Sequence, residues 1–496
     1  MKNRNQNNGK AFGQLFGMLA LTLCTQLILI LKSSRVAALF GTSVEMDAYN
    51  FVNNIAMFIF SFVGTGAGTV LIPAMVRKDA SWDAQNGFLT ILYGLSLVLL
   101  GVFFVFRRPL LTPFSGSSEA FVDIASSLMA IILFGQFVSS LNSVSTAFLQ
   151  CRDCYNVPKF LALLVTVAAT AVIYLTETFT IYRYAMLSFL LILLEMAVQY
   201  IVAIRKGFRY RPCVPLRDPE LRSMFRTFLP TVFGAGVYQL TLMTDSVISS
   251  TLGTGNISVL SYSNVISGMI NTVISGNIML YIYPKIAAEA NDEKGKRKLF
   301  QYMAFFAVLM CAVVVLFFAA GYDVVRILFE RGQFNTDATQ GVFVCVMIYL
   351  LGAPINIMRD VVYRYFYSKG NTKSTFYNGL FASILNMVIS IILAQFIGLY
   401  GIVLGTTITA VFSFVSILLR MKKQYTFSGN FPFFAGELLK ILGASAGAIL
   451  VCVLVQALSL DLPSLLISVI AAAVGVLIFG TILLLTRSKV FKVELG

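Results

Sequence analysis

The sequence predicts an all-α, polytopic membrane protein. It has 14 transmembrane helices, twelve of them in two pseudo-symmetric six-helix lobes and the last two at the C-terminus. Three observations predict this fold. The 496 residues are 58% hydrophobic and 12% charged, with a mean hydropathy of +0.83, whereas a soluble domain carries about 25% charged residues. The apolar residues fall into runs long enough to cross a bilayer, which takes about 20 residues. One long stretch of sequence also occurs twice.

The repeated stretch runs from Leu39 to Pro73 and again from Leu252 to Pro284. Both copies begin with a leucine and a Gly-Thr turn, and both end an apolar helix on a proline. A period of about 210 residues is too long for a solenoid and indicates a duplicated half-protein, which is common among membrane transporters.

The apolar runs give the helices in chain order. The first run exceeds the apolar region of a signal peptide and lacks a small-residue cleavage site, so it is predicted to span the membrane. The predicted helices span residues 12–31, 47–75, 85–106, 121–150, 160–176, 184–204, 227–252, 258–284, 299–320, 341–367, 374–396, 401–419, 437–458 and 463–486.

The Lys and Arg residues indicate the topology. Most of them lie at the two termini and in the loops on the same side as the termini. The loops on the other side hold only Lys32, Arg35, Arg107, Arg108, Arg183, Arg326 and Arg331. By the positive-inside rule, both termini are predicted to be cytoplasmic in a bacterial plasma membrane. The net charge of +15 then reflects topology and affinity for anionic membrane lipids, and nucleic acid is not an expected partner.

Both copies of the repeat enter the membrane in the same direction, so the lobes are predicted to be parallel repeats. The predicted domains are an N-terminal lobe (1–204), a basic cytoplasmic linker (205–226), a C-terminal lobe (227–420) and the last two helices (421–496). The prolines of the linker indicate an extended strap, with a short interfacial helix from Pro219.

The chain contains no histidine, which excludes His-based catalytic triads, metal sites and proton relays. Of seven cysteines, only Cys151 and Cys154 form a C-x-x-C pair, whereas a structural zinc site needs four ligands. The sequence therefore predicts neither a metal site nor catalytic residues.

Ionisable residues at membrane depth are costly and suggest function. Lys32 and Arg35 are three residues apart and share a helix face, where they would bind phosphate in a cavity or snorkel to the outer headgroups. Asp47 would pair with one of these cations or cap the second helix.

Four further charges lie deeper in predicted helices. Glu195 and Asp245 would titrate, bind a cation or make a buried hydrogen bond. Arg359 and Asp360 are adjacent and would satisfy each other. They are candidates for coupling or for a structural intramembrane charge.

Asparagines indicate a hydrophilic path. Asn50, Asn53 and Asn54 fall on one face of the second helix, and Asn264 lies in the corresponding helix of the second copy. In lipid such a face must turn towards partners or a water-filled cavity.

Several motifs resemble the MurJ/MviN family of lipid II flippases. The first copy contains Phe40-Gly41 followed by Asp47-Ala48-Tyr49, and the seventh helix contains Phe228-Leu229-Pro230 with Asp245. The most specific match precedes the tenth helix and consists of Phe329, Glu330, Arg331, Gly332 and Phe334. The resemblance implies the MOP flippase superfamily, in which two lobes transport a lipid-linked sugar pyrophosphate by alternating access.

The chain departs from the family pattern at charged positions. Where the family has an acid in the second helix, this chain reads Phe62-Val63-Gly64-Thr65. Where the family has Tyr-x-Asp-Arg in the eighth, it reads Tyr262-Ser263-Asn264-Val265. The family's basic residue near the end of the first helix is represented by Lys32. The expected cavity is therefore less charged than in typical members.

The resemblance implies a flippase for an undecaprenyl-pyrophosphate-linked cell-wall precursor, with lipid II as the expected substrate. Lys32 and Arg35 would bind the pyrophosphate, and Asp47, Asn50, Asn53, Asn54 and Asn264 would contact the headgroup. No cofactor and no ATP motif is expected, so a monovalent cation or the membrane potential would drive transport. The sequence does not fix the oligomeric state; a monomer is expected.

Three alternatives stay open. One is a flippase for another lipid-linked oligosaccharide, such as a capsule, exopolysaccharide or teichoic unit. Another is a cation-coupled multidrug exporter, for which Asp47, Glu195 and Asp245 supply carboxylates. A membrane enzyme is disfavoured because no loop is long enough to hold a catalytic cluster.

Overall fold

The computed structural model describes residues 2–76, 81–112, 119–176, 178–276, 286, 293–425, 431–458 and 462–488. All regular structure in these residues is helical, which confirms the predicted fold class. Thirteen helices in the described ranges are long and apolar enough to cross a membrane. The remaining predicted segment, 227–252, corresponds to the later part of a continuous helix from Pro219 to Thr251.

The helices up to the second copy of the repeat are α1 (Lys2–Phe40), α2 (Val44–Gly66), α3 (Ile72–Val76), α4 (Trp82–Val105), α5 (Arg107–Leu111), α6 (Glu119–Cys151), α7 (Asn156–Leu175), α8 (Ile181–Arg205), α9 (Pro219–Thr251) and α10 (Asn256–Asn271). The later helices are α11 (Glu293–Phe329), α12 (Thr336–Ser368), α13 (Thr372–Ile397), α14 (Leu399–Tyr425), α15 (Phe431–Ala457) and α16 (Ser464–Leu485).

Each copy of the repeat contains a π-helical turn. Ala67–Leu71 joins α2 to α3, and Thr272–Gly276 extends α10. Pro73 follows the first turn closely, and a proline removes a backbone donor that the helix would otherwise use. The end of the second copy, at Pro284, lies outside the described residues.

Packing divides the chain into two units, Met1–Ser258 and Val259–Gly496. Helix α9, which the sequence assigns to the C-terminal lobe, packs against α2 and belongs to the first unit. The lobe boundaries at 204 and 227 stay predictions.

In the first unit, α2 is the central helix. It packs against α6 and α9, while α1 packs against α7 and α6 against α8. Aromatic rings fill the space between α4 and α9: Phe88 lies 5.0 Å from Phe225 and 5.3 Å from Phe228, centroid to centroid. This core fixes α9 beside α2 and so positions the polar residues that the two helices carry.

In the second unit, α11 packs against α12, α15 and α16, and α13 packs against α14. Small residues allow close approach, as at Gly405, which lies against Ser390. The interior Pro354 of α12 leaves the helix one N–H short. Nearby, the Thr407 hydroxyl donates to the Ile348 carbonyl oxygen at 2.8 Å.

Candidate functional site

Asp47 joins the two copies of the repeat. Its side chain is 3% exposed. One carboxylate oxygen accepts from the Gly255 N–H at 2.5 Å, and the other accepts from the Ser258 N–H at 2.8 Å and the Ser258 hydroxyl at 2.6 Å. These donors lie at the beginning of α10, whose first N–H groups have no partner within the helix. The first copy of the repeat therefore caps the helix of the second.

The helix that carries Asp47 has a cap of its own. The Ser43 hydroxyl accepts from the Met46 N–H at 3.3 Å, so α2 does not depend on Asp47 for capping. Among the described ion pairs, none joins Asp47 to Lys32 or Arg35. The carboxylate is thus committed to α10.

Gly255 makes this contact possible. Its φ is +93°, a conformation that residues with a Cβ rarely adopt. A Cβ at this position would also lie 3.2 Å from the Cβ of Thr42, in the first copy of the turn. The two turns approach closely because glycine lies between them.

The two cations at the end of α1 contact different helices. The Lys32 Nζ lies 5.5 Å from the ring centroid of Tyr184 on α8, and that ring lies 5.0 Å from the ring of Tyr49. The Arg35 Nε donates to the carbonyl oxygen of Ile173 on α7 at 3.4 Å. No described carboxylate pairs with Lys32, so its ammonium has no counter-charge among the described residues.

The asparagine face of α2 turns towards its neighbouring helices. The Asn54 Nδ2 donates to the Ser246 hydroxyl on α9 at 2.6 Å, and the Gln136 Nε2 on α6 donates to the Asn53 Oδ1 at 2.9 Å. Asn50 is buried on the same face. The polar face therefore lies at the contact of α2 with α6 and α9.

A hydroxyl series continues this face along α2 and into the π-helical turn that follows it, and sequence reasoning missed it. Ser61, Thr65 and Thr69 recur every four residues; Thr65 donates to the Ser61 carbonyl oxygen at 3.1 Å, and Thr69 to that of Thr65 at 2.6 Å. The Thr69 and Thr231 hydroxyl oxygens lie 3.4 Å apart. Ser61, Thr65 and Thr69 continue the spacing of four residues that begins with Asn53 and Met57, and this spacing could have revealed the series. We call Asn50, Asn53, Asn54, Ser61, Thr65 and Thr69 the polar stripe.

Asp245 lies on α9, beside α2. It is 5% exposed, and its Oδ1 has no hydrogen-bond partner among the described residues. A buried carboxylate oxygen without a partner is costly. Asn264, by contrast, is exposed on α10.

Glu195 belongs to a hydrogen-bonded network between α6 and α8. Its Oε1 accepts from the Asn142 Nδ2 at 3.3 Å and from the Gln199 Nε2 at 3.0 Å. The Gln199 Oε1 in turn accepts from the hydroxyls of Ser145 and Thr146. The arrangement favours a buried structural hydrogen bond for Glu195, because the amides of Asn142 and Gln199 both donate to its carboxylate.

Arg359 and Asp360 pair with each other on α12, with 3.3 Å between the Arg359 Nη2 and the Asp360 Oδ1. The Arg359 guanidinium carbon also lies 5.5 Å from the ring centroid of Tyr363. The Tyr363 hydroxyl accepts from the Asn378 Nδ2 on α13 at 2.9 Å. The pair is thereby tied to the packing of α12 against its neighbour.

The aromatic residues of the most specific motif form one cluster. Phe329 and Phe334 lie 5.7 Å apart, and the Tyr262 ring on α10 lies 5.3 Å and 5.4 Å from them. All three side chains are buried. The cluster fixes the corner between α11 and α12 against the second copy of the repeat.

The polar residues of the motif shape that corner. Arg331 donates to the carbonyl oxygens of Ile327 and Leu328, both at 3.0 Å, at the end of α11. Gly332 has a φ of +62°, and the Asn335 Oδ1 caps α12. Glu330 lies 3.7 Å from Arg326. These contacts give the motif a structural role in this chain.

No group of three or more His, Cys, Asp or Glu residues within the described ranges could hold a metal ion.

Comparison with known proteins gives concordant results. The family model described as lipid II flippase MurJ matches residues 36–484. The probable lipid II flippase MurJ of Borreliella burgdorferi is 22% identical over 380 residues, covering 75% of each chain.

Two solved structures show the same fold. One is described as lipid II flippase MurJ in an inward closed conformation; it has a TM-score of 0.78 and 19% identity and covers 94% of this chain and 98% of that chain. An inward-facing MATE multidrug transporter of the MOP superfamily has a TM-score of 0.62 and 16% identity, covering 82% and 99%.

Proposed function

The chain belongs to the MurJ family of lipid II flippases, and we propose from this premise that it moves an undecaprenyl-pyrophosphate-linked cell-wall precursor from the inner to the outer leaflet by alternating access. Its family and its apolar helices make it a multi-pass protein of the bacterial inner membrane. We propose further that both termini are cytoplasmic, that it works as a monomer, and that it transports its substrate without chemical change.

The observation that carries this proposal is the polar stripe of α2. A sugar headgroup that leaves water loses hydrogen bonds, and each polar group left without a partner costs about 1–3 kcal/mol. The stripe has amides at one end, where Asn53 and Asn54 already bond to neighbouring helices. At the other end it has hydroxyls, of which Thr65 is half-buried and Thr69 exposed. Its groups are uncharged, which suits hydroxyl-rich cargo that must be released again.

Lys32 is the group best placed to meet the pyrophosphate. Its ammonium lies over the Tyr184 ring and interacts electrostatically with Tyr49, and no described carboxylate pairs with it, so an anion would supply the counter-charge. Arg35 contributes less in this proposal, because its guanidinium already donates to a carbonyl oxygen.

Asp47 acts as a closing contact. On the predicted topology, the turns at Gly41 and Gly253 lie on the outer side of the membrane. Separating the beginning of α10 from that of α2 would break three hydrogen bonds to the Asp47 carboxylate. The contact therefore holds these two turns together.

The energy source in this proposal is electrical. A pyrophosphate carries about two negative charges outward, and each charge crossing the membrane contributes about 2.3 kcal/mol per 100 mV. Asp245, with its unpartnered buried oxygen, is the group that a monovalent cation or a proton would meet if an ion gradient also contributes.

The test is complementation of bacteria depleted of their own lipid II flippase, with lipid II exposed on the outer face measured by an impermeant probe. The native chain should restore exposure. Lys32→Met should lower it roughly 10- to 100-fold, the effect of losing one charge-assisted hydrogen bond, and Lys32→Arg should retain most of it.

A matched control is Arg183→Met, which removes an exposed cation at the start of α8 near the same membrane side. It should behave as the native chain. If the Lys32→Met strain exposes as much lipid II as the native strain, Lys32 does not take part in transport. Failure of the native chain, together with flipping of another polyprenyl-linked sugar, would reassign the substrate.

A further inference from the structure

Residues 206–218 connect α8 to α9, and we call this segment the strap. Hydrogen bonds hold it against a neighbouring helix. Two of its backbone N–H groups donate to side chains of α4: Arg211 to the Asn86 Oδ1 at 3.2 Å and Cys213 to the Thr90 hydroxyl at 3.3 Å. The strap is therefore bound to α4 and is not a loose tether.

Side chains of the strap also enter the core of the first unit. Phe208 is buried, with ring centroids 5.1 Å from Phe148 and 5.9 Å from Tyr200. Pro215 lies so close to Gly87 that a Cβ on that glycine would clash. One side of the strap thus packs against the protein. The side chains on its other side are therefore directed outwards.

Trp82, the single tryptophan of the chain, lies next to the strap. The Ser81 N–H donates to the Glu220 carboxylate at 2.8 Å, and the Cys213 Sγ lies 3.5 Å from the carbonyl oxygen of Asp83. The residues on both sides of Trp82 therefore contact the strap or the beginning of α9. The Trp82 side chain itself is 51% exposed.

The outer side of the strap and its flanks is strongly basic. Two of the three nearby acids are engaged: the Asp218 carboxylate caps α9, and the Glu220 carboxylate accepts from Ser81. The third, Asp83, is exposed beside Trp82. No described carboxylate forms an ion pair with the exposed cations. These cations are Arg205, Lys206, Arg209, Arg211, Arg217 and Arg222.

Exposed apolar side chains lie among these charges. Leu216 is 77% exposed and Val214 48% exposed. The exposed apolar face of α8, which ends with Ile201 and Ile204, leads directly into the first of the cations. The basic surface thus continues a surface suited to lipid tails, as at the boundary between acyl chains and headgroups, where tryptophan is also enriched.

We infer that the strap, with Trp82, is a binding site for the headgroups of anionic phospholipids in the leaflet it faces, the cytoplasmic one on the predicted topology. The charges match phosphate, and Leu216, Val214 and Trp82 match the acyl region beneath it. A nucleic acid or an acidic protein would match the cations but leave the apolar side chains in water. Basic residues near an anionic membrane surface contribute about 1 kcal/mol each, so six of them select anionic over zwitterionic lipid.

The single tryptophan supplies the test. The full-length protein is reconstituted in phosphatidylcholine vesicles that contain an equal mole fraction of brominated phosphatidylglycerol or brominated phosphatidylcholine. Bromine quenches tryptophan fluorescence on contact. The native chain should be quenched more by the brominated phosphatidylglycerol, and added salt should reduce the difference because it screens exposed charges.

The variant Arg209→Gln/Arg211→Gln/Arg217→Gln should lose this preference, with the relative affinity for phosphatidylglycerol falling roughly 10- to 100-fold. The same three positions changed to Lys should keep it, which separates loss of charge from loss of folding. The matched control Arg420→Gln/Lys422→Gln/Lys423→Gln removes three exposed cations at the end of α14 and should leave the preference unchanged. Equal quenching by both lipids in the native chain, or an undiminished preference in the strap Gln variant, would overturn the inference.

Discussion

At the scale of single residues, Asp47 shows how far sequence reasoning reaches. An aspartate at the beginning of a helix predicts a capping role, and the carboxylate does cap a helix. The capped helix is α10, more than 200 residues away in sequence. The helix that carries Asp47, α2, is capped by Ser43. The choice of partner depends on which turns lie side by side, and local sequence does not encode that.

The cations of α1 give the same lesson. Their spacing places Lys32 and Arg35 on one face, yet one side chain reaches α8 and the other α7. Long side chains on one face diverge when different neighbours flank it. The asparagines of the polar stripe were predicted from their spacing, whereas its hydroxyls and the separate partners of these two cations were not.

Replacing Asp47 tests its contact with α10. In Asp47→Asn, the amide Nδ2 would face the N–H of Gly255, leaving a buried donor without an acceptor at a cost of about 1–3 kcal/mol. We expect a lower midpoint of thermal unfolding for the purified protein in detergent. Glu45→Gln is the control, because Glu45 is exposed in the same turn of α2; equal midpoints for the two variants would contradict the capping role.

At the scale of elements, hydropathy predicted the helices well but shortened several of them. The segment predicted at 299–320 belongs to α11, Glu293–Phe329, because helix continues into polar residues that a hydropathy window excludes. The predicted interfacial helix at Pro219 is the first turn of α9. The π-helical turn before Pro73 had no sequence signal beyond the proline itself.

The hydroxyls of α2 can be tested as a group. Thr65 and Thr69 donate to carbonyl oxygens of their own helix, which leaves their oxygens able to accept from a sugar hydroxyl. Thr65→Val/Thr69→Val keeps the shape but removes two acceptors, and we expect roughly tenfold slower flipping at about 0.5–1.5 kcal/mol per hydrogen bond. The measurement is lipid II exposure in reconstituted vesicles.

The control for this variant is Thr166→Val/Thr170→Val on α7, where both hydroxyls make the same kind of bond within the helix. Those threonines lie outside the polar stripe, so flipping should be unchanged. A similar loss in both variants would mean that the hydroxyls act through helix stability and not through the substrate.

At the scale of the whole molecule, composition decides which forces are available. The chain is 58% hydrophobic and 12% charged, so packing between long apolar helices supplies most of its interior. Its two units each build their own packed interior around long helices. The sequence predicted the all-helical membrane fold because the length of apolar runs is a global signal, whereas the positions of individual side chains depend on packing.

The electrical drive makes a prediction for the whole protein. If about two negative charges move with the headgroup, a potential negative on the side of departure should favour transport, with each charge changing the equilibrium distribution roughly fifty-fold per 100 mV. The native chain in vesicles, with a potassium gradient and valinomycin setting the potential, should expose lipid II faster as the potential becomes more negative on that side.

The variant Asp245→Asn separates the two energy sources. Its transport rate should keep the dependence on potential if the headgroup charge alone is coupled, and should lose part of that dependence if an ion at Asp245 moves as well. If the rate of lipid II exposure does not change with the potential in either protein, the electrical drive is contradicted and a different source of energy is required.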